Sequence, residues 1–263
     1  SATLEVTVDG GMTYYAATNN GDGTWTLADD TITPPLDNGT YNVDVTATDA
    51  AGNSSNDPTW DELTVDVPPQ RWYARAGASG TTCKSWANAC DLQTVLNYNA
   101  RNGDDIWVAA GVYYPDEGTG QTDNDQSSTF TLKDGVTLYG GFPASGTPDP
   151  DMNDRDWETH KTVLSGDIDQ NDTTDSDGVV TDTSTITGSN AYHVVTGNDD
   201  ADSSTVLDGF VITAGSANYD GGGMYNEGNP TLSDLLFIGN TASRGGGMYN
   251  SYSSPTLTNV TFQ

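Results

Sequence analysis

The chain alternates apolar and polar residues over short distances, which is the period of a half-buried strand rather than of a helix. Leu4, Val6 and Val8 alternate with Thr3, Glu5, Thr7 and Asp9. Tyr41, Val43, Val45 and Ala47 alternate with Asn42, Asp44 and Thr46, and Leu63, Val65 and Val67 repeat the pattern. Turn signals stand between these runs, at Asp9-Gly10-Gly11 and at Gly21-Asp22-Gly23-Thr24, the second leading into Trp25-Thr26-Leu27. Glycine supplies positive φ there, and Asp bonds its own backbone. Short strands at regular spacing predict a β-sandwich over residues 1–67. Val67-Pro68-Pro69-Gln70 breaks the pattern, so 68–70 reads as a linker.

After the linker comes one helical segment, 91–100, in which Leu92, Val95 and Leu96 share a face and Gly103 is the expected stop. Short apolar strands follow: Ile106-Trp107-Val108, Val136-Thr137-Leu138, Val163-Leu164, His193-Val194-Val195, Val206-Leu207 and Phe210-Val211-Ile212. The last part repeats outright. Gly221-Gly222-Gly223-Met224-Tyr225-Asn226 returns 24 residues later as Gly245-Gly246-Gly247-Met248-Tyr249-Asn250, and Pro230–Phe237 returns 25 residues later as Pro255–Phe262, with one residue inserted between. Such a unit is too small to bury its own core and must stack on its neighbours. The short strands and turn-rich spacing predict a right-handed parallel β-helix over 71–263, each coil rising about 4.8 Å. The Leu-x-x-Leu-x-Leu pattern of leucine-rich repeats is absent. The helix is expected to cap the first coil, because a bare solenoid end is an open sheet edge. Tri-glycine permits tight turns and close coil approach, and Asn240 is expected at an inward turn where stacked amides bond along the array.

Two resemblances follow from these residues. Asn20-Gly21-Asp22-Gly23-Thr24-Trp25-Thr26-Leu27, with the run Asn38 to Asn53, resembles the bacterial immunoglobulin-like repeats of large surface adhesins. Those repeats commonly have one or two strands before the equivalent of Leu4–Val8, so the resemblance implies a sandwich incomplete at its N-terminus with an unpaired edge. Phe237-Ile238-Gly239-Asn240 followed by Gly245-Gly246-Gly247-Met248 resembles polymorphic outer-membrane-protein repeats. Ser85–Ala89, Asp105–Pro115, Gly135–Phe142 and Val163–Ile168 resemble secreted bacterial β-helix proteins. The fold class expected is therefore all-β: an immunoglobulin-like β-sandwich, then a right-handed parallel β-helix with one capping helix, cut in mid-repeat at Phe262-Gln263. The implied location is extracellular, at the cell surface.

Charge narrows the function. The chain carries 38 acidic residues against 8 basic ones, a formal net charge of −30. A phosphate backbone would be repelled, which excludes nucleic acid as a partner, and anionic lipid is disfavoured for the same reason. No run approaches the ~18 apolar residues of a membrane span. Only 5 of the acids are Glu. Asp is a poor helix former that favours turns, so the charge is expected on loops, where Ca²⁺ finds its oxygen ligands.

Asp167, Asp169, Asn171, Asp175 and Asp177 form the strongest candidate for such a Ca²⁺ loop, with alternating oxygen ligands as at the start of an EF-hand. It departs from that motif at Asp172 and Gly178 and has no flanking helices. Asp149, Asp151, Asn153, Asp154 and Asp156 form a second cluster, with Arg155 as an internal neutraliser. Asp49, Asn53 and Asp66 are weaker candidates, at the position where adhesin repeats often hold Ca²⁺. Cys83 and Cys90, seven apart in a polar stretch, suit a local disulfide in an oxidising compartment. Sequons at Asn38, Asn53, Asn171 and Asn259 are expected by chance in so Asn- and Thr-rich a chain.

No nucleophile, P-loop, zinc or dinucleotide motif is present, and with so many Asp residues a pair of carboxylates carries no weight. The expected function is a non-enzymatic structural and adhesive module of a large bacterial surface or matrix protein, stabilised by Ca²⁺. Its expected partners are copies of itself, assembling into a filament, or the rest of a longer polypeptide. Surface glycans are a further candidate partner, through Trp72, Tyr73, Trp86, Trp107, Tyr113, Tyr114 and Trp157. The alternative is a polysaccharide lyase-like β-helix enzyme, which would need a basic residue such as Lys161 or Arg244 beside a groove.

Overall fold

The computed structural model describes residues 2–28, 31–32, 36, 39–56 and 59–263. Asn38, with its sequon and its share of the resemblance, lies outside them. The described residues are mostly β, with one α-helix. Contacts divide the chain into Ser1–Pro68 and Pro69–Gln263.

The first unit holds β1 (Thr3–Thr7), β2 (Tyr15–Asn19), β3 (Trp25–Thr26), β4 (Gly39–Tyr41), β5 (Asp44–Thr48), β6 (Ser54–Asn56) and β7 (Leu63–Val65). Antiparallel pairing orders one sheet β3-β2-β1-β5-β6, and β4 pairs β7 in a second. Val6 and Val8 are buried. Thr7 between them is buried as well, so the burial does not follow the strict alternation of the sequence at this end of β1. The edge anticipated at Leu4–Val8 is not there, because β1 lies between β2 and β5. The turn after β1 is built by its own side chains. Asp9 Oδ1 accepts the amides of Met12 and Thr13 and the hydroxyl of Thr7, and these donors hold its carboxyl well below the usual range.

The second unit begins with β8 (Arg71–Ala74), α1 (Leu92–Tyr98), β9 (Asp105–Ala109), β10 (Gly111–Tyr113), β11 (Phe130–Leu132), β12 (Thr137–Phe142), β13 (Thr162–Ser165) and β14 (Val195–Gly197). It continues with β15 (Val206–Asp208), β16 (Val211–Thr213), β17 (Ser216–Asp220), β18 (Met224–Asn226), β19 (Thr231–Phe237), β20 (Thr241–Arg244), β21 (Met248–Asn250) and β22 (Thr256–Phe262). Every strand pair here is parallel. The largest sheet runs β10-β13-β16-β19-β15-β12-β9-β8, with β22 also on β19. It curls because β19 is long enough to pair β15 with its first half and β16 with its second.

Register makes the core. Trp72, Ile106, Leu138, Leu207, Leu232 and Leu257 stand opposite one another from strand to strand. Tyr113, Leu164, Ile212, Phe237 and Phe262 form a second row. Phe130, Val195, Met224 and Met248 form a third. Leu138, Leu164, Ile212, Leu207, Met224, Leu232 and Phe237 are 0 % exposed, so truncating any one to Ala costs about 2–5 kcal/mol. At the β22 end the rows meet solvent: Leu257 and Phe262 are 47 % and 48 % exposed.

The repeat spacing equals the register offset. Met224 pairs Met248, 24 residues on, and Thr231 pairs Thr256, 25 on. The extra residue therefore lies in the loop 251–255, where Tyr252 projects at positive φ and full exposure. Gly221 and Gly245 both turn at positive φ, and a Cβ on Gly223 would strike the Gly247 carbonyl. A bend within each pass falls at Gly209, then Asp234, then Asn259, all at positive φ. Asn and Asp tolerate this region better than other L-residues, and Asn259 donates to Asp234 Oδ1 across the step (2.7 Å).

Two local expectations need correction. The helix ends at Tyr98, not at Gly103; Gly103 instead turns ahead of β9 and donates its amide to the Gly135 carbonyl. Asn240 does not bond another Asn. Its amide accepts from Gly215 N and donates to the Ile212 carbonyl, tying one pass to the backbone of the previous one. The side-chain ladder is at Asn226, which donates to Asn250 Oδ1. The N-cap carboxylate of Asp91 accepts from Gln93 N, and the helix sets Leu92, Val95 and Leu96 into the same core as the strands.

Cys83 and Cys90 form a disulfide, with a Cα–Cα separation of 5.1 Å. It closes a loop that clasps β8: Tyr73 N donates to Cys83 O, and Cys90 N donates to Tyr73 O. Cys90 immediately precedes the helix cap, so the bridge fixes where α1 starts.

Candidate functional site

The acidic segment 167–178 divides into two parts. Asp167 is 3 % exposed and accepts the amides of Asn171 and Asp172. Asp169 Oδ2 accepts Ser189 N at 2.8 Å. Asn171 Oδ1 accepts the Thr187 hydroxyl, and Asp172 takes Thr187 N and the Asn190 amide. The first part therefore gathers round residues 187–190. Asp175 and Asp177 do not join it: Asp175 caps its own turn at Asp177 N and Val179 N, and Asp177 pairs Lys161.

Two oxygens in the first part, Asp169 Oδ1 and Asn190 Oδ1, are buried without a hydrogen-bond partner. Asn190 is 2 % exposed, and its amide nitrogen is committed to Asp172 Oδ2 and the Ala214 carbonyl. A buried unpaired oxygen is costly, and it is the donor type a hard cation takes. Burial raises the Asp167 carboxyl above its ordinary value, and the charges of Asp172 and Asp169 add to the shift. Among the described residues no three His, Cys, Asp or Glu side chains converge on a metal-holding arrangement. The free atoms here are one carboxylate and one amide oxygen. Asn190 carried no sequence signal, since it belongs to no acidic run.

The second cluster is spent on turns. Asp151 accepts Asn153 N, Asp154 accepts Asp151 N, and Asp156 accepts Glu158 N and Thr159 N. Asp149 is exposed at positive φ, and Asn153 is exposed as well. Arg155 does not neutralise this cluster. Its guanidinium leaves it for Asp208 and the Gly140 carbonyl. Asp49 and Asn53 bond each other across their own turn.

The aromatic residues singled out in the sequence are mostly packed. Trp72, Trp86, Trp107 and Tyr113 are at most 9 % exposed. Trp107 stacks on Phe142 (4.6 Å), and Tyr73 meets Trp86 edge-on (4.9 Å). Tyr73, Trp86, Trp107 and Phe142 pack on one another, while Trp72 and Tyr113 belong to the core rows.

The open aromatic face lies elsewhere, at β14, β17 and β18. Tyr225 alternates outward from buried Met224 and Asn226. Its ring lies 5.2 Å from His193 on one side and stacks on Tyr249 at 5.9 Å on the other. Tyr219 on β17 is 79 % exposed, and Tyr192 is 39 % exposed. Tyr192, His193, Asn218, Tyr219, Asp220 and Tyr225 line a cavity of about 320 Å³. His193 Nδ1 lies 2.8 Å from the Gly221 carbonyl. A carbonyl only accepts, so Nδ1 is the donor in this bond. Asp220 is held by a two-pronged bond from Arg244 Nε (2.5 Å) and Nη2 (2.7 Å), and that guanidinium lies over the Tyr249 ring at 5.1 Å. Thus Lys161 and Arg244, the two bases a lyase reading would use, are each engaged by a carboxylate. The signal for this face was the Tyr in each copy of Gly-Gly-Gly-Met-Tyr-Asn, outward by strand alternation.

No helix among the described residues is long and apolar enough to cross a membrane. No curated protein matches the chain, and no solved structure matches it. Residues 1–67 match the family model of a bacterial Ig-like domain.

Proposed function

We propose that this chain is a non-catalytic structural module of a bacterial surface protein, in which an immunoglobulin-like domain accompanies a right-handed parallel β-helix. The observation that carries the reading is the residue-for-residue register of successive passes, Leu207–Leu232–Leu257 and Met224–Met248. A continuous core of this kind gives a stack whose stability accrues pass by pass. The match of residues 1–67 to a bacterial Ig-like domain supports a surface setting, and the disulfide supports an oxidising one. Incubation with neutral and acidic polysaccharides tests the reading. No new reducing or unsaturated ends are expected, whereas sustained cleavage abolished by Lys161→Ala or Arg244→Ala would overturn it.

Two further elements belong to this proposal. Ca²⁺ binds at the Asp169–Asn190 group, where Asp169 Oδ1 and Asn190 Oδ1 are each buried without a partner, and offsets repulsion in a chain of charge −30. Copies of this chain associate through the outer edge of β22, where Leu257 and Phe262 are half exposed. Light scattering of the isolated chain should show mass rising with concentration if copies dock there, and a constant monomer mass would refute docking between copies.

A further inference from the structure

The tyrosine-lined cavity on the flank of the repeats is not needed for the stack. Tyr219 and Tyr192 project from it into solvent, although strand alternation could have placed polar residues there at no cost to the core. Exposed aromatic rings around a concavity are the ordinary make-up of a ligand site. The chemistry of the rim narrows the ligand. Tyr192 and Tyr219 offer ring faces, while Asn218 and His193 stand beside them. Asp220 is already charge-neutralised by Arg244, so the cavity holds no free carboxylate to select a cation. Arg244 in turn is committed to Asp220 and Tyr249, and the chain as a whole repels anions at −30. What fits is neutral, flat-faced and rich in hydroxyls. A pyranose presents C–H groups on one face, which stack on an aromatic ring, and hydroxyls round its edge, which bond to side-chain acceptors and donors. The volume, about 320 Å³, is of the size that a disaccharide occupies.

We infer that this cavity is a subsite for a neutral glycan, with Tyr192 and Tyr219 as stacking platforms and Asn218 and His193 as hydroxyl partners. The inference goes beyond the structural reading and does not depend on it, because binding and cleavage are read separately.

Affinity electrophoresis tests it, with the full chain run through gels containing β-glucan, mannan, galactomannan or, as the acidic control, polygalacturonate. Retardation by at least one neutral polysaccharide is expected and none by polygalacturonate. The double variant Y192A/Y219A should weaken that retardation roughly tenfold or more. Its melting temperature should stay within about 4 °C of that of the unaltered chain, since Tyr219 is 79 % and Tyr192 39 % exposed. A His193→Ala variant should weaken binding less than the double variant. The inference is overturned if no neutral polysaccharide retards the chain, if the double variant binds unchanged, or if only the acidic polymer binds. Cleavage of a bound polymer would leave the subsite in place but overturn the non-catalytic reading.

Discussion

Asn226 is the most informative single position in the stack. It is 0 % exposed, and its amide nitrogen lies 2.9 Å from the Gly228 carbonyl, 2.9 Å from Asn250 Oδ1 and 3.0 Å from Ser253 Oγ. Two hydrogens thus serve three acceptors, two of them on the next pass. Asn226→Ala removes both donors. Two lost bonds at about 1 kcal/mol each, with the buried Gly228 carbonyl losing this donor, amount to roughly 2–3 kcal/mol. Loss of the unpaired Asn226 Oδ1 offsets a little of this. At about 2–4 °C per kcal/mol for a unit of this size, the melting temperature falls by roughly 4–12 °C. Asn226→Asp keeps the shape but turns a donor into a charged acceptor facing three oxygens, and costs about 3–5 kcal/mol near neutral pH. Burial raises the new carboxyl's pKa above its unfolded value. The Asp variant therefore approaches wild-type stability below the ordinary Asp range and loses it as pH rises through the folded-state pKa. Scanning calorimetry of the three proteins across pH reads both effects. If Asn226→Asp melts within about 1 °C of wild type near pH 7, the ladder between passes is not formed.

Other outcomes follow from the same structure. Excess Ca²⁺ should raise the melting temperature relative to chelator, and Asp169→Ala should remove the difference; identical melting in both buffers would refute the cation site. Replacing Cys83 and Cys90 with Ala should cost about 2.4 kcal/mol by loop entropy for a closed loop this short, and alkylation of both thiols without reductant would show that the bridge is absent. Burial raises the carboxyls of Asp167, Asp116, Asp91 and Asp208, whereas hydrogen bonds lower those of Asp49, Asp156 and Asp202. The raised groups favour the fold as pH drops from neutral toward the ordinary value of 3.8, and the lowered groups withdraw stability below it. Thermal stability should therefore pass through a maximum on the acid side of neutrality, and a monotonic fall from pH 7 downward would contradict this assignment.

Strand positions and repeat register were legible in the sequence because alternation and the 24- and 25-residue offsets are local and repetitive. Cys83 and Cys90 were legible because their spacing is short. The sites were not, for a physical reason. A hydrogen-bonding Asp at a turn and a cation-binding Asp look alike in sequence, and in the structure Asp151, Asp156 and Asp175 serve backbone amides. Asn190 meets Asp172 only because the excursion 166–190 folds back on itself. The aromatic residues were misjudged likewise. Trp107 on its strand and Trp86 on a 3-10 turn both pack against Phe142, which helps bury them, whereas Tyr219 has no such cover. Helix length was overread at Gly103 because its positive φ serves a turn before β9 rather than the helix end.

Successive passes stack in parallel and in register. Spin labels on cysteines introduced by Tyr225→Cys and Tyr249→Cys measure it most directly, since these side chains point outward from paired positions on β18 and β21. Neighbouring strands lie about 4.8 Å apart, so the account predicts strong dipolar broadening in the doubly labelled chain compared with the sum of the single labels. A doubly labelled spectrum identical to that sum would contradict it.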